Sequence, residues 1–468
     1  MHMTNDAPST AMVTPTRQRL FGLPMLRAIR EDPLGLAERL RAEQGDMAWL
    51  KILSTRICYV FNPETVRQIL VEHQEDFVKE ERMLRIFQTV HGKNVISTDG
   101  ELWERQRRII SSAFAPKRIQ AYVDLMASAA DKCVGLELPA ATGDSAVVDV
   151  DRLTTRITMD VILRALFSYE GSREQSDDVG RAMRRLTRQT MRELFWPLVP
   201  PAWVPYAGRS AKRKSLAVIH HLIDSQIALR RRRSPSVERT HPDILDLLLK
   251  ADDDQHASSD SALTDQEIRD NCIGLFGAGH DTSASALTWW LGLMASHPQV
   301  AQQVREELRG LPDGSTSTAT GLAEARLLNA TIKEAMRLYP PSTGTFSRQA
   351  VRDVRLGDHV IGKHSIVVIS IWSLHRDSRW FPEPEVFQPE RFMPGAPSIP
   401  RSAFMPFGVG PHFCLGQQFA MVEMALIAAR LICHHDIAFE QGASLPVAEV
   451  DLVLKPKQPL RLRFTRVN

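Results

Sequence analysis

Residues 264–298, "TDQEIRDNCIGLFGAGHDTSASALTWWLGLMASHP", read as one uninterrupted helix, and that helix sets the scale of the fold. Thr264 and Glu267 have capping-box spacing at its start, and Ser296, His297 and Pro298 stop it. At about 1.5 Å per residue it spans about 48 Å. Apolar almost all round, it must be the central beam of a large domain. His280 and Asp281 near its middle argue against a membrane span, because an ionisable group is costly in lipid. Its centre, "AGHDTS", is unusual. Glycine weakens a helix by up to about 1 kcal/mol, and the Thr282 hydroxyl can divert a bond from the ladder and open a local groove. Such a stretch marks a close helix crossing, or a place where something approaches or bends the backbone.

The rest of the chain reads as mainly α with small β-sheets. Helical periodicity recurs over 34–45, 64–74, 100–113, 117–135, 151–167, 178–195, 210–233, 241–251, 298–309, 322–338 and 415–433. Residues 48–61, 350–372 and 450–465 look like strands and hairpins. Two proline-rich stretches, 194–208 and 381–400, read as packed loops. No composition break divides the chain, so residues 1–18 are read as a disordered segment and 19–468 as a single domain. The 58 Lys and Arg against 55 Asp and Glu leave a formal charge of +3, too balanced for a nucleic-acid binder. Five cysteines, odd in number and without a CxxC pair, argue against a disulfide framework or a zinc site and suit a reducing, cytoplasmic setting. "GDHVIGKH" imitates a phosphate loop, but His364 occupies the Ser/Thr position in a strand-like context, so a hairpin turn is the better reading.

"FGVGPHFCLG" carries the most chemical information. Gly410 allows a tight turn with positive φ, and Gly416 lets a large flat group or another backbone come close. Cys414 falls at the start of the helix that follows, where unpaired N–H groups favour a thiolate, so it is prepared to be an anion and a metal ligand. A small buried thiol and a redox or nucleophilic cysteine remain open alternatives. Three further patterns are weak alone: Trp103 with Arg107 in "WERQR", Glu334 with Arg337 in "KEAMR", and Arg391 in "PERF".

Taken together and in order, these motifs resemble the cytochrome P450 family of haem-thiolate monooxygenases, across nearly the whole chain. The resemblance implies the P450 fold, with the long helix over a haem b whose iron is bound by Cys414. Phe407, Gly410 and Gly416 belong to the ligand loop. Trp103, Arg107, Arg348 and His412 match positions that hold the haem propionates; His412 stands where many members have arginine. Asp281 and Thr282 match the acid-alcohol pair that relays protons, while Ala278 and Gly279 leave room over the iron. Glu334, Arg337 and Arg391 match a structural triad.

The same resemblance places a substrate pocket at about residues 80–96, the loop before the 100–113 helix, and at 191–208, 273–282 and 342–347. Its candidates are Met83, Leu84, Ile86, Phe87, Leu194, Phe195, Trp196, Phe276 and Phe346, with Thr343 and Thr345 as polar contacts. These suit a hydrophobic small molecule such as a terpenoid, fatty acid or polyketide. It implies O2 as co-substrate and electrons from a ferredoxin or flavodoxin with its NAD(P)H reductase, since no GxGxxG opens a dinucleotide fold here. Arg105, Arg108, Lys117 and Arg118 form a candidate basic dock for such a partner, with a solvated face as the plainer alternative. The run Arg230–Arg233 complements a helix dipole. A peroxygenase, an isomerase or a non-catalytic haem sensor would use the same loop without activating dioxygen.

Overall fold

The computed structural model describes residues 23–169, 173–194, 196, 206–232, 242–253 and 262–467. Residues 1–18, Phe195 and most of the 194–208 stretch lie outside the described residues. The chain divides into two compact units.

The first unit comprises Met1–Met83, Thr343–Pro384 and Ile399–Phe413. Its frame is a five-stranded sheet in the order Met47–Ile52, Thr55–Val60, Ile366–Ile369, Arg348–Ala350, Phe77–Lys79. The first two strands form an antiparallel hairpin, while Thr55–Val60 and Ile366–Ile369 run parallel. Val60, Val367 and Ile369 on this sheet, with Val66, Ile69 and Leu374, make one core cluster. The Pro33–Gln44 helix packs Leu36 and Leu40 into a second, with Leu50 and Phe61. Asp32 caps that helix, and Pro33 occupies its first turn, where a missing N–H costs nothing. The phosphate-loop imitation is a hairpin, Val354–Leu356 against His359–Ile361.

The second unit comprises Leu84–Ser342, Glu385–Ser398 and Cys414–Asn468. Its axis is the Asp265–Ser296 helix, capped by the reciprocal Thr264–Glu267 box and ending one residue before His297, as the sequence reading expects. The Val150–Phe167, Arg326–Leu338 and Gln417–His434 helices pack around it. Trp289 and Trp290 are fully buried on it. Trp289 stacks on Tyr339 at 4.0 Å, and Trp290 Nε1 donates to Thr331 Oγ1 at 2.9 Å.

Several boundaries differ from the sequence reading for identifiable reasons. Residues 80–96 are not simply a loop, because Glu81–His91 is a helix that buries Ile86, Phe87 and Val90 on one face. The 64–74 helix passes into a π-turn at Gln68–Glu72, and the 322–338 helix breaks at Ala325 into Ala319–Glu324 and Arg326–Leu338. The Leu23–Glu31 helix and the strand Ser145–Asp149 were not expected. The latter gains its identity only by pairing with Arg461–Arg466.

Candidate haem-thiolate site

Within the first unit, the ligand-loop glycine behaves as its turn requires. Gly410 has φ +76°, and a Cβ there would lie 2.2 Å from Leu70 O, so neither the dihedral nor the space admits a side chain. Phe407 and His412 are partly buried in this loop. A residue the sequence reading missed holds its approach: buried His375 accepts the Met405 N–H on Nε2 at 2.9 Å. No spacing signal in the sequence points to it. Arg348 is buried and donates to Phe346 O at 2.7 Å. Thr343, Thr345 and Phe346 precede it, each partly exposed.

Within the second unit, Cys414 has exposed surface, and the helix after it begins at Gln417, later than the expected 415. The thiol therefore precedes the helix start and meets one backbone N–H, that of Gly416. Burial of the sulfur among protein atoms pushes its pKa up, while the Gly416 N–H and the Arg107 guanidinium pull it down; the net direction is up. The Gly416 N–H is the helix-start donor that the sequence reading expects beside this thiol, and desolvation opposes it. Burial lowers the pKa of Arg107, and Cys414 raises it. Arg107 lies 5.6 Å from the ring of buried Trp103.

These residues fit a haem. A Cβ on Gly416 would meet only Cys414 Sγ, at 3.9 Å, so a broad group has open access beside the sulfur. On the long helix, otherwise buried from Asp270 to Met294, Ala278 is exposed and Gly277, Gly279 and Thr282 are partly so. The apolar, side-chain-poor stretch and the soft sulfur are the donor set and surface that a flat iron macrocycle needs. Gly279 also faces the Val150–Phe167 helix: a Cβ there would lie 2.8 Å from Ile162 Cδ1, and the Ile162 side chain would have to shift to admit it.

The acid and the alcohol stand apart. Thr282 Oγ1 donates to Ala278 O at 2.8 Å, back along the helix. Asp281 is buried, with Lys455 Nζ at 3.3 Å and His280 Nε2 at 3.6 Å from its Oδ1. Burial raises the Asp281 pKa, but the fields of His280, Lys455 and Arg184 outweigh it and hold the carboxyl below its ordinary value. Lys455 reaches this place because its hairpin is fastened to the helix: Ser285 Oγ and Trp289 Nε1 both donate to Leu454 O, at 2.6 and 3.0 Å. Behind the helix, fully buried Glu423 is hydrogen-bonded to Ser283, and burial pushes its carboxyl up to about 8.

The expected triad meets. Arg337 donates twice to Glu334, at 2.7 and 2.8 Å, with both side chains fully buried. Gln388 N donates to Glu334 Oε1 at 2.9 Å, and Arg391 Nε lies 3.4 Å from the same oxygen.

The pocket candidates are only partly placed. Met83, in the first unit, and Leu84, Leu194 and Trp196, in the second, are partly exposed. Phe87 stacks on His91, and Phe276 is buried against His280. Of the cations proposed for docking, Arg105 donates to Ala262 O and pairs with Glu267 at the start of the long helix. Arg230 likewise forms buried pairs with Asp243 and Asp246, a stronger role than dipole compensation.

Comparison with known proteins agrees with this geometry. The sequence profile of the cytochrome P450 family, described as "Cytochrome P450", matches residues 14–464. The chain is 30% identical over 443 residues to a Mycobacterium tuberculosis protein assigned as cytochrome P450 132, covering 90% of each. It is 28% identical to the cyclooctat-9-en-7-ol 5-monooxygenase of Streptomyces melanosporofaciens, covering 91% of this chain and 89% of that protein. The solved structure of retinoic acid bound cyanobacterial CYP120A1 superposes with a TM-score of 0.81 at 25% identity, over 96% of this chain and 98% of that one. The chain belongs to the cytochrome P450 family and is a haem-dependent monooxygenase. Among the described residues, no helix is long and apolar enough to cross a membrane.

Proposed function

We propose that residues 19–468 act as a single catalytic domain that inserts one oxygen atom from O2 into a hydrophobic terpenoid, fatty acid or polyketide. The observation that carries this reading is Cys414, a residue with exposed surface whose sulfur lies beside the open face of Gly416, in a chain whose long helix bares Ala278. When bound, haem b supplies the dioxygen-activating chemistry of the family.

The chain's own groups have separable tasks. Gly416 N–H and Arg107 favour the anion of Cys414 against the cost of burial. Trp103, Arg107, Arg348 and His412 are assigned to the cofactor's carboxylates. Thr282 holds a proton at Oγ1, parked on Ala278 O. Asp281 holds its charge against Lys455, whose partly exposed side chain links a buried carboxylate to the surface. Electrons come from a separate ferredoxin or flavodoxin with its NAD(P)H reductase, and free thiols suit a cytoplasmic location.

A reduced carbon-monoxide difference spectrum tests the reading. The far-red-shifted band typical of thiolate-bound haem is expected in the wild type and lost in Cys414→His; a wild type without it overturns the assignment. A screen of terpenoids, fatty acids and polyketides for spin-state shifts then sorts substrate classes.

A further inference from the structure

Within the second unit, one histidine is packed against the long helix without using its hydrogen-bonding groups. His91 ends the Glu81–His91 helix, and its ring stacks on Phe87 with centroids 6.0 Å apart. A Cβ on Gly277 would lie 3.0 Å from His91 Cε1, the carbon between the two ring nitrogens, and 3.1 Å from Met183 Cε. The polar end of the ring thus rests on a bare turn of the long helix, one residue before exposed Ala278. Nδ1 is enclosed there and has no hydrogen-bond partner among the described residues. Burial, and then the charge of Lys212, push the pKa of His91 down to about 4, so the ring is neutral near pH 7. Such an orphaned nitrogen costs stability that a phenylalanine ring in the same place would not.

The ring is fixed from both directions along the chain. Just after it, Gly92 has φ +65°, and a Cβ there would fall 2.1 Å from Asp270 Cγ. Asp270 and Asn271 on the long helix then accept the Lys93 and Val95 N–H groups at 2.8 and 2.9 Å. Just before it, Thr89 Oγ1 accepts a hydrogen bond from Lys212 Nζ at 2.7 Å, and the same ammonium pairs with buried Glu193 at 2.6 Å. A polar group held this firmly, with its own bonds unmade, is preorganised for a ligand.

We propose that His91 is a specificity-determining residue, donating a hydrogen bond from Nε2 to an uncharged oxygen of the substrate. A neutral imidazole carries one N–H and one lone pair. An enclosed lone pair is tolerated more readily than an enclosed N–H without an acceptor, which places the proton on Nε2. His91 as a residue is partly exposed, and Nε2 is the polar atom that remains for that open surface. A neutral donor offers no charge to offset the burial of a carboxylate. The class selected is therefore an apolar molecule that already carries a carbonyl or ether oxygen, such as an oxygenated terpenoid or polyketide. This narrows the substrate class of the monooxygenase reading above and rests on that reading.

The test uses purified holoprotein as wild type, His91→Phe and His91→Gln. Phenylalanine keeps a ring against Phe87, and glutamine places an amide N–H near the position of Nε2. Menthone with p-menthane, and 2-tridecanone with tridecane, are titrated by spin-state shift, each pair matched in skeleton and differing by a carbonyl. The phenylalanine variant should lose about fivefold or more in affinity for the ketone, with the hydrocarbon unchanged and glutamine restoring binding. A purely structural histidine moves both members of a pair alike, so an unchanged ketone-to-hydrocarbon ratio overturns the proposal. Where no probe shifts the wild type, the histidine 15N resonances of the ferrous carbon-monoxide form decide, with His91 assigned by its loss in His91→Phe. A neutral Nε2–H ring near pH 7 supports the donor, and an Nδ1–H ring or an imidazolium overturns it. His91→Leu replaces the phenylalanine variant if circular dichroism shows that one unfolded. A wild type without the thiolate band marks failure of the monooxygenase reading, whereas a normal band with unchanged ratios marks failure of the His91 assignment alone.

Discussion

Lys455 Nζ stands 3.3 Å from Asp281 Oδ1, while the neighbouring Thr282 Oγ1 donates to Ala278 O. Two residues adjacent in sequence are thus held by different partners, so Asp281 must leave Lys455 or act through water before it serves the alcohol. Lys455 comes from a hairpin far along the chain and, after His280, helps hold Asp281 ionised.

The pH dependence follows from that pair. The folded pKa of Asp281 lies below its ordinary value, so its charge persists above that ordinary value and is lost only as pH falls through the depressed one. Lys455→Met removes a stabilising cation from a buried carboxylate, and the acid limb of kcat/KM should move to higher pH. Asp281→Asn should abolish that limb and lower turnover by about a hundredfold, the usual scale for losing a proton-transfer group. Overlapping pH profiles for wild type and Lys455→Met would count against the assignment.

Thr282→Ala should leave haem content and substrate-induced spectral shifts unchanged, because among the described residues the hydroxyl bonds within its own helix, to Ala278 O. Product formed per NAD(P)H consumed should drop while hydrogen peroxide rises. Measuring both in one reaction separates this from simple inactivation, in which consumption itself would fall; full coupling in the variant would remove Thr282 from the relay.

The contrast between these residues and Lys455 shows what the sequence makes legible. The long helix is readable because its capping box, apolar surface and proline stop are all local, and it begins after its Thr264 cap and ends within the Ser296–Pro298 stop. The Gly410 turn and the Glu334–Arg337 pair are equally local, one a dihedral requirement and the other a three-residue spacing. Lys455, His375 and Glu423 acquire their roles only through contacts made across the fold, with Asp281, Met405 and Ser283. Gly279 illustrates a mixed case. Its lack of a side chain was visible as an anomaly, but the Ile162 methyl that packs beside it was not.

The Glu334–Arg337 pair should act on stability first. Both side chains are fully buried and joined by two hydrogen bonds, and Glu334 also accepts the Gln388 N–H. Glu334→Ala leaves a buried guanidinium without its counter-charge and should cost about 3–5 kcal/mol. The double variant Glu334→Leu with Arg337→Met should recover part of that loss, since a matched apolar pair carries no desolvation penalty. Urea denaturation of the two proteins measures the difference; equal losses would mean that the pair holds the chain through more than its charges.

Glu423 should leave a pH signature of the opposite sign to that of Asp281. It is fully buried, its Oε2 lacks a hydrogen-bond partner, and burial raises its pKa from 4.5 to about 8 against the Ser283 hydrogen bond. Between those two values the native protein keeps the proton that the unfolded chain has already released. Stability therefore falls as pH rises through that window, by up to about 1.4 kcal/mol per pH unit, and levels off above the folded pKa. Glu423→Gln keeps the shape and the Ser283 contact without a titrating proton. Its melting temperature should decline less than that of the wild type between pH 5 and 8, so the two curves converge on the acid side and separate on the alkaline side. Parallel curves would show that Glu423 is ionised in the folded protein, with a counter-charge other than Ser283 compensating its burial.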